Sequence, residues 1–194
     1  MGTRQVASGN LAEVALAIKA ATSRDPTASA LVFDDVTGRA IDLDLRGTDD
    51  AVVQRLDNHP GPGSGPPQVP EKRGPGRPKL GVVAREVTLL PRHWDWLSTQ
   101  PGGASVALRK LVDEARRANR DSDRARRAQE AAYRFMSAMA GNESGFEEAT
   151  RALFAADRAR YDAMIGSWPA DVRVYAAALA KDAFVQPQSP ETAL

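Results

Sequence analysis

Residues 71–127 hold fourteen Lys and Arg against seven Asp and Glu, a balance of +7. Both flanks are acidic: residues 1–70 and residues 128–194 each carry six basic side chains against nine acidic ones. The chain as a whole is only +1, so any contact with a polyanion is expected to be local to the middle. A solvated, arginine-rich helix face would give the same count. Inside the basic stretch stands Arg73-Gly74-Pro75-Gly76-Arg77-Pro78-Lys79. Its alternation of cations with glycine and proline reads as an extended nucleic-acid contact.

The other groups that could do chemistry are few. Cysteine is absent, which excludes disulfides, thiolate metal sites and thiol nucleophiles. There are two histidines. His59 lies in a Pro/Gly run; His93 precedes Trp94, and pairing it with Glu86 or Asp95 as acid and base rests on adjacency alone. A first-turn polar position beside Trp94 explains it better. Asp34, Asp35, Asp42 and Asp44 form an acidic group that turn chemistry and strand alternation account for without a metal. No Gly-rich phosphate loop, HExxH or GxSxG is present. The expectation is a protein without catalytic activity, cofactor or small-molecule substrate.

Elements follow from periodicity and punctuation. Asn10 is positioned to cap a helix over residues 9–21, with Leu11, Val14, Ala15 and Ile18 along one face. Residues 30–35 and 40–45 flank Val36-Thr37-Gly38-Arg39 and read as a β-hairpin. Ile41, Leu43 and Leu45 alternate there with Asp42 and Asp44, giving one buried and one wet face. A short helix from Asp49 to Leu56 closes an α+β unit at residues 1–56. Residues 57–79 then hold seven of the thirteen prolines and five glycines, the composition of a linker assigned to residues 57–80.

A mainly helical region is expected over residues 81–185, opened by one strand at Val83 to Leu90. Pro91 starts a helix to about Gln100 that carries Trp94 and Leu97 on one side. Ser105 is the expected cap of the next, whose Leu108, Leu111, Val112 and Ala115 form an amphipathic stripe ending in Arg116, Arg117 and Arg120. Three more helical stretches follow. One carries Ala132, Tyr133, Met136 and Met139; a second opens with capping-box spacing at Ser144 to Glu147 and runs through Leu153, Tyr161 and Ile165. The third follows Trp168-Pro169 and carries Val172, Tyr175 and Leu179. Residues 186–194 read as a disordered tail. No apolar run has signal-peptide or membrane-span length, so a cytoplasmic, or nucleoid-associated, protein is expected.

Three resemblances sharpen this reading. Residues 73–79 resemble an AT-hook, whose Arg-Gly-Arg-Pro core lies in the minor groove of A·T-rich DNA, where negative potential is concentrated. The copy is degenerate, with Pro75 where the first core arginine would stand. Arg85 to Arg117 resembles a ribbon-helix-helix unit in its strand–helix–helix order, which implies a homodimer pairing two strands. The departure lies in the strand: neither Glu86, Thr88 and Leu90 nor Arg85, Val87 and Leu89 is the usual polar, basic reading face. The whole chain, above all GRPKLGVVAREVTLLPRHWDWLSTQPGGASVALRKLVDEARR, resembles the bacterial family catalogued as domain of unknown function 2239. That resemblance implies no activity.

The expected function is therefore a DNA-binding regulator or nucleoid-associated protein. Its expected nucleic-acid contacts are Arg73, Arg77, Pro78, Lys79, Arg85 and Thr88. Its expected dimer or core residues are Val87, Leu89, Trp94, Leu97, Leu108, Leu111 and Val112. The alternative is a non-catalytic adaptor built on an oligomeric helical bundle.

Overall fold

The computed structural model describes residues 3–27, 29–57, 83 and 85–185. The expected tail, the expected linker beyond Asp57, and Arg73, Arg77, Pro78 and Lys79 lie outside the described residues. The architecture is mostly helical, with one two-stranded antiparallel hairpin near the N-terminus. No helix of the described residues is long and apolar enough to cross a membrane.

Helix α1 (Leu11–Arg24) begins where the sequence places its cap. The Asn10 side chain accepts from the Glu13 amide, and the Glu13 side chain accepts from the Asn10 amide. Two otherwise unpaired donors are thereby satisfied. Strands β1 (Val32–Phe33) and β2 (Ala40–Ile41) pair Val32 with Ile41 and Phe33 with Ala40. The turn between them is held by Asp34, whose carboxylate accepts from the amide and the hydroxyl of Thr37. Beyond β2 the expected alternation holds, with Ile41, Leu43 and Leu45 half-buried and Asp42 and Asp44 exposed. Helix α2 (Asp49–Asp57) packs on α1 around Ala15, Ile18 and Val52, all buried.

The contacts divide the chain differently from the sequence expectation. Residues 1–63 join residues 121–194 in one unit, and residues 64–120 form the other. The expected division instead gave residues 1–56 a core of their own and grouped residues 81–120 with the later helices. What joins the first unit is aromatic. Phe33 meets the Phe135 ring edge-on at 4.9 Å, and Phe135 meets Tyr175 at 4.7 Å. The Tyr175 hydroxyl donates to Asp35, the Arg134 guanidinium donates to the Thr37 carbonyl at 2.9 Å, and the Gln5 amide donates to Asp171 at 2.8 Å.

The core of this unit comes from helices α5 (Arg120–Met139), α6 (Phe146–Phe154), α7 (Arg158–Ile165) and α8 (Ala170–Leu179), with a 3₁₀ turn at Lys181–Phe184. Met136, Leu153, Tyr161 and Ile165 are its largest fully enclosed side chains. Small residues between them, among them Ala132, Ala149 and Ala176, let the helices approach closely. Two local expectations are corrected. The stretch from Phe146 to Ile165 is two helices, broken where Ala156 takes φ 54° and Asp157 caps α7 by accepting from the Arg160 amide. Moreover, α6 starts after Gly145 in the left-handed region, with no side-chain cap, so the capping-box spacing at Ser144 is not used.

Burial and the acceptor Asp35 both hold the Tyr175 phenol in its protonated form, above the ordinary tyrosine range. A raised folded-state value means that this contribution is complete below the unfolded tyrosine range, near pH 10, and is lost as pH rises through the higher folded value. Tyr175→Phe removes the bond while keeping the ring against Phe135. It is expected to lower stability by about 1 kcal/mol in urea unfolding at neutral pH. An unchanged midpoint would show that the bond contributes nothing net.

Candidate nucleic-acid interface

The second unit carries most of the residues singled out in the sequence. Residues 85–90 run extended into α3 (Pro91–Ser98), and α4 (Gly103–Ala118) follows a tight turn. Pro91 occupies the first helical turn, where its missing amide costs nothing. The turn at Pro101-Gly102-Gly103 needs glycine, since Gly102 and Gly103 take φ of 86° and 75°. Gly102 therefore flanks the start of α4, and the Ser105 cap expected from the sequence is replaced.

The expected strand is not assigned as one. Residues 85–90 pair with no other segment among the described residues, and only the Leu90 carbonyl receives backbone donors, from His93 and Trp94 at the start of α3. Leu89 is half-buried while Arg85, Glu86, Val87, Thr88 and Leu90 are exposed. Burial therefore shows no strand-like alternation along this segment beyond Leu89 itself.

Of the expected core residues, only Leu97 is buried, against α4, where Ala107 is the other buried residue among the described residues of the unit. Leu108 is half-buried, and Val87, Trp94, Leu111 and Val112 are exposed, as is Trp96. Within one chain most of that set is therefore uncovered among the described residues. The apolar period in α4 is real, but two short helices end before they can cover its second half. Periodicity had identified a face without identifying what lies against it.

Charge in this unit is left open. Arg85, Arg92, Arg109, Lys110, Arg116 and Arg120 make no ion pair among the described residues, and the Arg117 Nε donates to a backbone oxygen of Asp113 at 3.2 Å. Arg109 and Lys110 were not singled out from the sequence. A helical projection of residues 103–118 finds them, because they fall opposite the apolar stripe.

The acidic group of the other unit is differently occupied. Asp34 holds the hairpin turn, Asp35 accepts from Tyr175, and Asp44 pairs with Arg46 at 2.9 Å and with Arg55 at 2.8 Å. Hydrogen bonds from Arg46, with its charge and that of Arg55, hold the Asp44 carboxyl well below the usual carboxylate range. These partners make the three carboxylates part of the hairpin and its connection to α2.

Residues 1–180 match the family described as an uncharacterized protein conserved in bacteria, DUF2239. The chain belongs to this family. The match takes in α1, the hairpin, α2, α3, α4 and all of α5 to α8, so in this DUF2239 protein the family's span covers the second unit whole and the first as far as residue 180. Comparison with curated proteins and with solved structures gave no match.

Proposed function

We propose that this DUF2239 protein is a non-catalytic DNA-binding protein, a transcriptional regulator or a nucleoid-associated protein, that acts as a homodimer in the cytoplasm. One observation carries the reading. The +7 balance of residues 71–127 includes cations of residues 85–120 that form no ion pair among the described residues, next to Gly-Arg-Pro-Lys. Cations held without carboxylate partners remain available to phosphate, and their counterions are released on binding.

Dimerisation is part of the reading because the second unit is incomplete alone. Its large side chains Val87, Leu90, Trp94, Trp96, Leu111 and Val112 are exposed, and exposed apolar side chains are what a second subunit can cover. An extended segment whose backbone pairs with no other segment among the described residues can be completed by the same segment of a second copy. The exposed set also favours a second reading, an adaptor whose apolar residues receive another protein.

A gel shift separates the two readings. Binding to A·T-rich duplex that weakens with salt is expected of the full chain. Arg77→Ala should abolish the preference for A·T-rich over G·C-rich duplex, since the minor groove distinguishes little else. Lys79→Ala should weaken both duplexes about equally. No shift with either duplex at about 50 mM salt would sink the DNA reading and leave the adaptor.

A further inference from the structure

Helix α4 has two unlike faces. With 3.6 residues per turn, Ala104, Leu108, Leu111 and Ala115 lie along one side. Arg109, Lys110, Arg116 and Arg117 lie on the other, with Asp113 between them. All five are exposed, and Asp113 makes no ion pair among the described residues.

Two plain explanations are insufficient. Cations near a helix C-terminus oppose the end of its dipole, which accounts for Arg116 and Arg117. Arg109 and Lys110 stand two turns earlier, outside the reach of that effect. A merely solvated face is the other explanation, and it fits Arg39 and Arg127, which are exposed and form no ion pair among the described residues, but several other exposed arginines do find carboxylates. Arg46, Arg124, Arg126, Arg134 and Arg158 each do so within 3.2 Å. On α4 the carboxylates of Asp113 and Glu114 are within the helix's own i+3 and i+4 spacing of Arg116 and Arg117, and no such pair forms.

We infer that the basic face of α4 seats on the phosphate backbone of duplex DNA. This is a sequence-independent contact, separate from any made by Gly-Arg-Pro-Lys, and it rests on the DNA-binding reading above. The apolar face of the same helix is thereby left for the second copy, so one helix serves assembly and binding from opposite sides. Four cations with Asp113 among them and Glu114 at the edge leave a net of +2, and Asp113 opposes the phosphates it would meet.

The test uses the full chain, a G·C-rich duplex and a salt titration, where minor-groove preference contributes least. Replacing Arg109, Lys110, Arg116 and Arg117 together by Gln keeps helix propensity and should leave the circular dichroism unchanged. The slope of log affinity against log salt should fall by about 2 to 4, at roughly 0.9 for each phosphate no longer neutralised. Asp113→Asn should act oppositely, tightening binding about threefold at low salt. A parent that binds, a fourfold variant with the parent's slope and an Asp113→Asn variant with the parent's affinity would overturn the inference and leave the DNA reading standing. A parent that binds no duplex overturns both. Should the fourfold variant lose its helix, Asp113→Asn alone decides, because an unchanged affinity there removes the α4 face from the interface.

Discussion

Gly38→Ala is expected to detach the hairpin from the helices and to destabilise the chain by about 3–5 kcal/mol. Gly38 is buried at the end of the hairpin turn with φ 64°, in the left-handed region where an L side chain is strained by about 1 kcal/mol. The larger cost is steric. A Cβ built there overlaps the backbone carbonyl of Ala131 on α5, and a helix backbone in the middle of a packed bundle does not yield. The hairpin must therefore lift. Phe33 then leaves Phe135, Tyr175 loses Asp35, and Arg134 loses the Thr37 carbonyl, which share one small contact area. For a chain of this length the loss corresponds to a fall in Tm of roughly 10 °C. Arg39→Ala, one residue on and exposed, should stay within about 0.5 kcal/mol of the parent. Equal unfolding midpoints for Gly38→Ala and Arg39→Ala would mean that the hairpin does not depend on its seat against α5.

That seat explains what was and was not legible in the sequence. Asn10 announced the start of α1, and Val36 to Arg39 announced the turn, because caps and turns are local and their chemistry lies within four residues. The partner of the hairpin is not local. Phe33 and Phe135 are about a hundred residues apart, and the Pro/Gly-rich stretch between them reads as a boundary. Yet the entropic cost of closing a loop grows only logarithmically with its length, so a long connection does not separate its flanks. Composition therefore described the stretch without saying which flanking segments share a core. The break between α6 and α7 was hidden for a different reason. Ala155-Ala156 suits a helix interior by propensity, Asp157 is the one local signal of a new start, and only packing selects the left-handed Ala156.

The α4 stripe was legible as a pattern and incomplete as a structure. Leu111 and Val112 recur at the helix period, yet they are 43% and 54% exposed. A period records which side chains avoid water in the functional state, whether the cover comes from the same chain or another.

Leu111→Asp decides which. If the second unit exists as a single copy, Leu111 is a surface position, and the change should cost no more than about 0.5 kcal/mol in stability. If two copies meet across this stripe, each dimer acquires two carboxylates in an apolar contact, unpaired and in symmetric positions. Burying such groups costs several kcal/mol, so a dimer that stays together at micromolar concentration should weaken by roughly a thousandfold or more. Light scattering is expected to give about twice the chain mass for the parent and the chain mass for the variant. Arg109→Gln, on the opposite side of the same helix, should remain dimeric. The consequence for DNA follows from linkage of two arms. A monomer presents one basic segment where the dimer presents two, and loses the gain in effective concentration that joins them, about a hundredfold or more in apparent affinity. A parent that scatters as a monomer at tens of micromolar, or a variant that remains a dimer, would remove the paired-strand assembly. The exposed stripe would then favour a different protein as its cover.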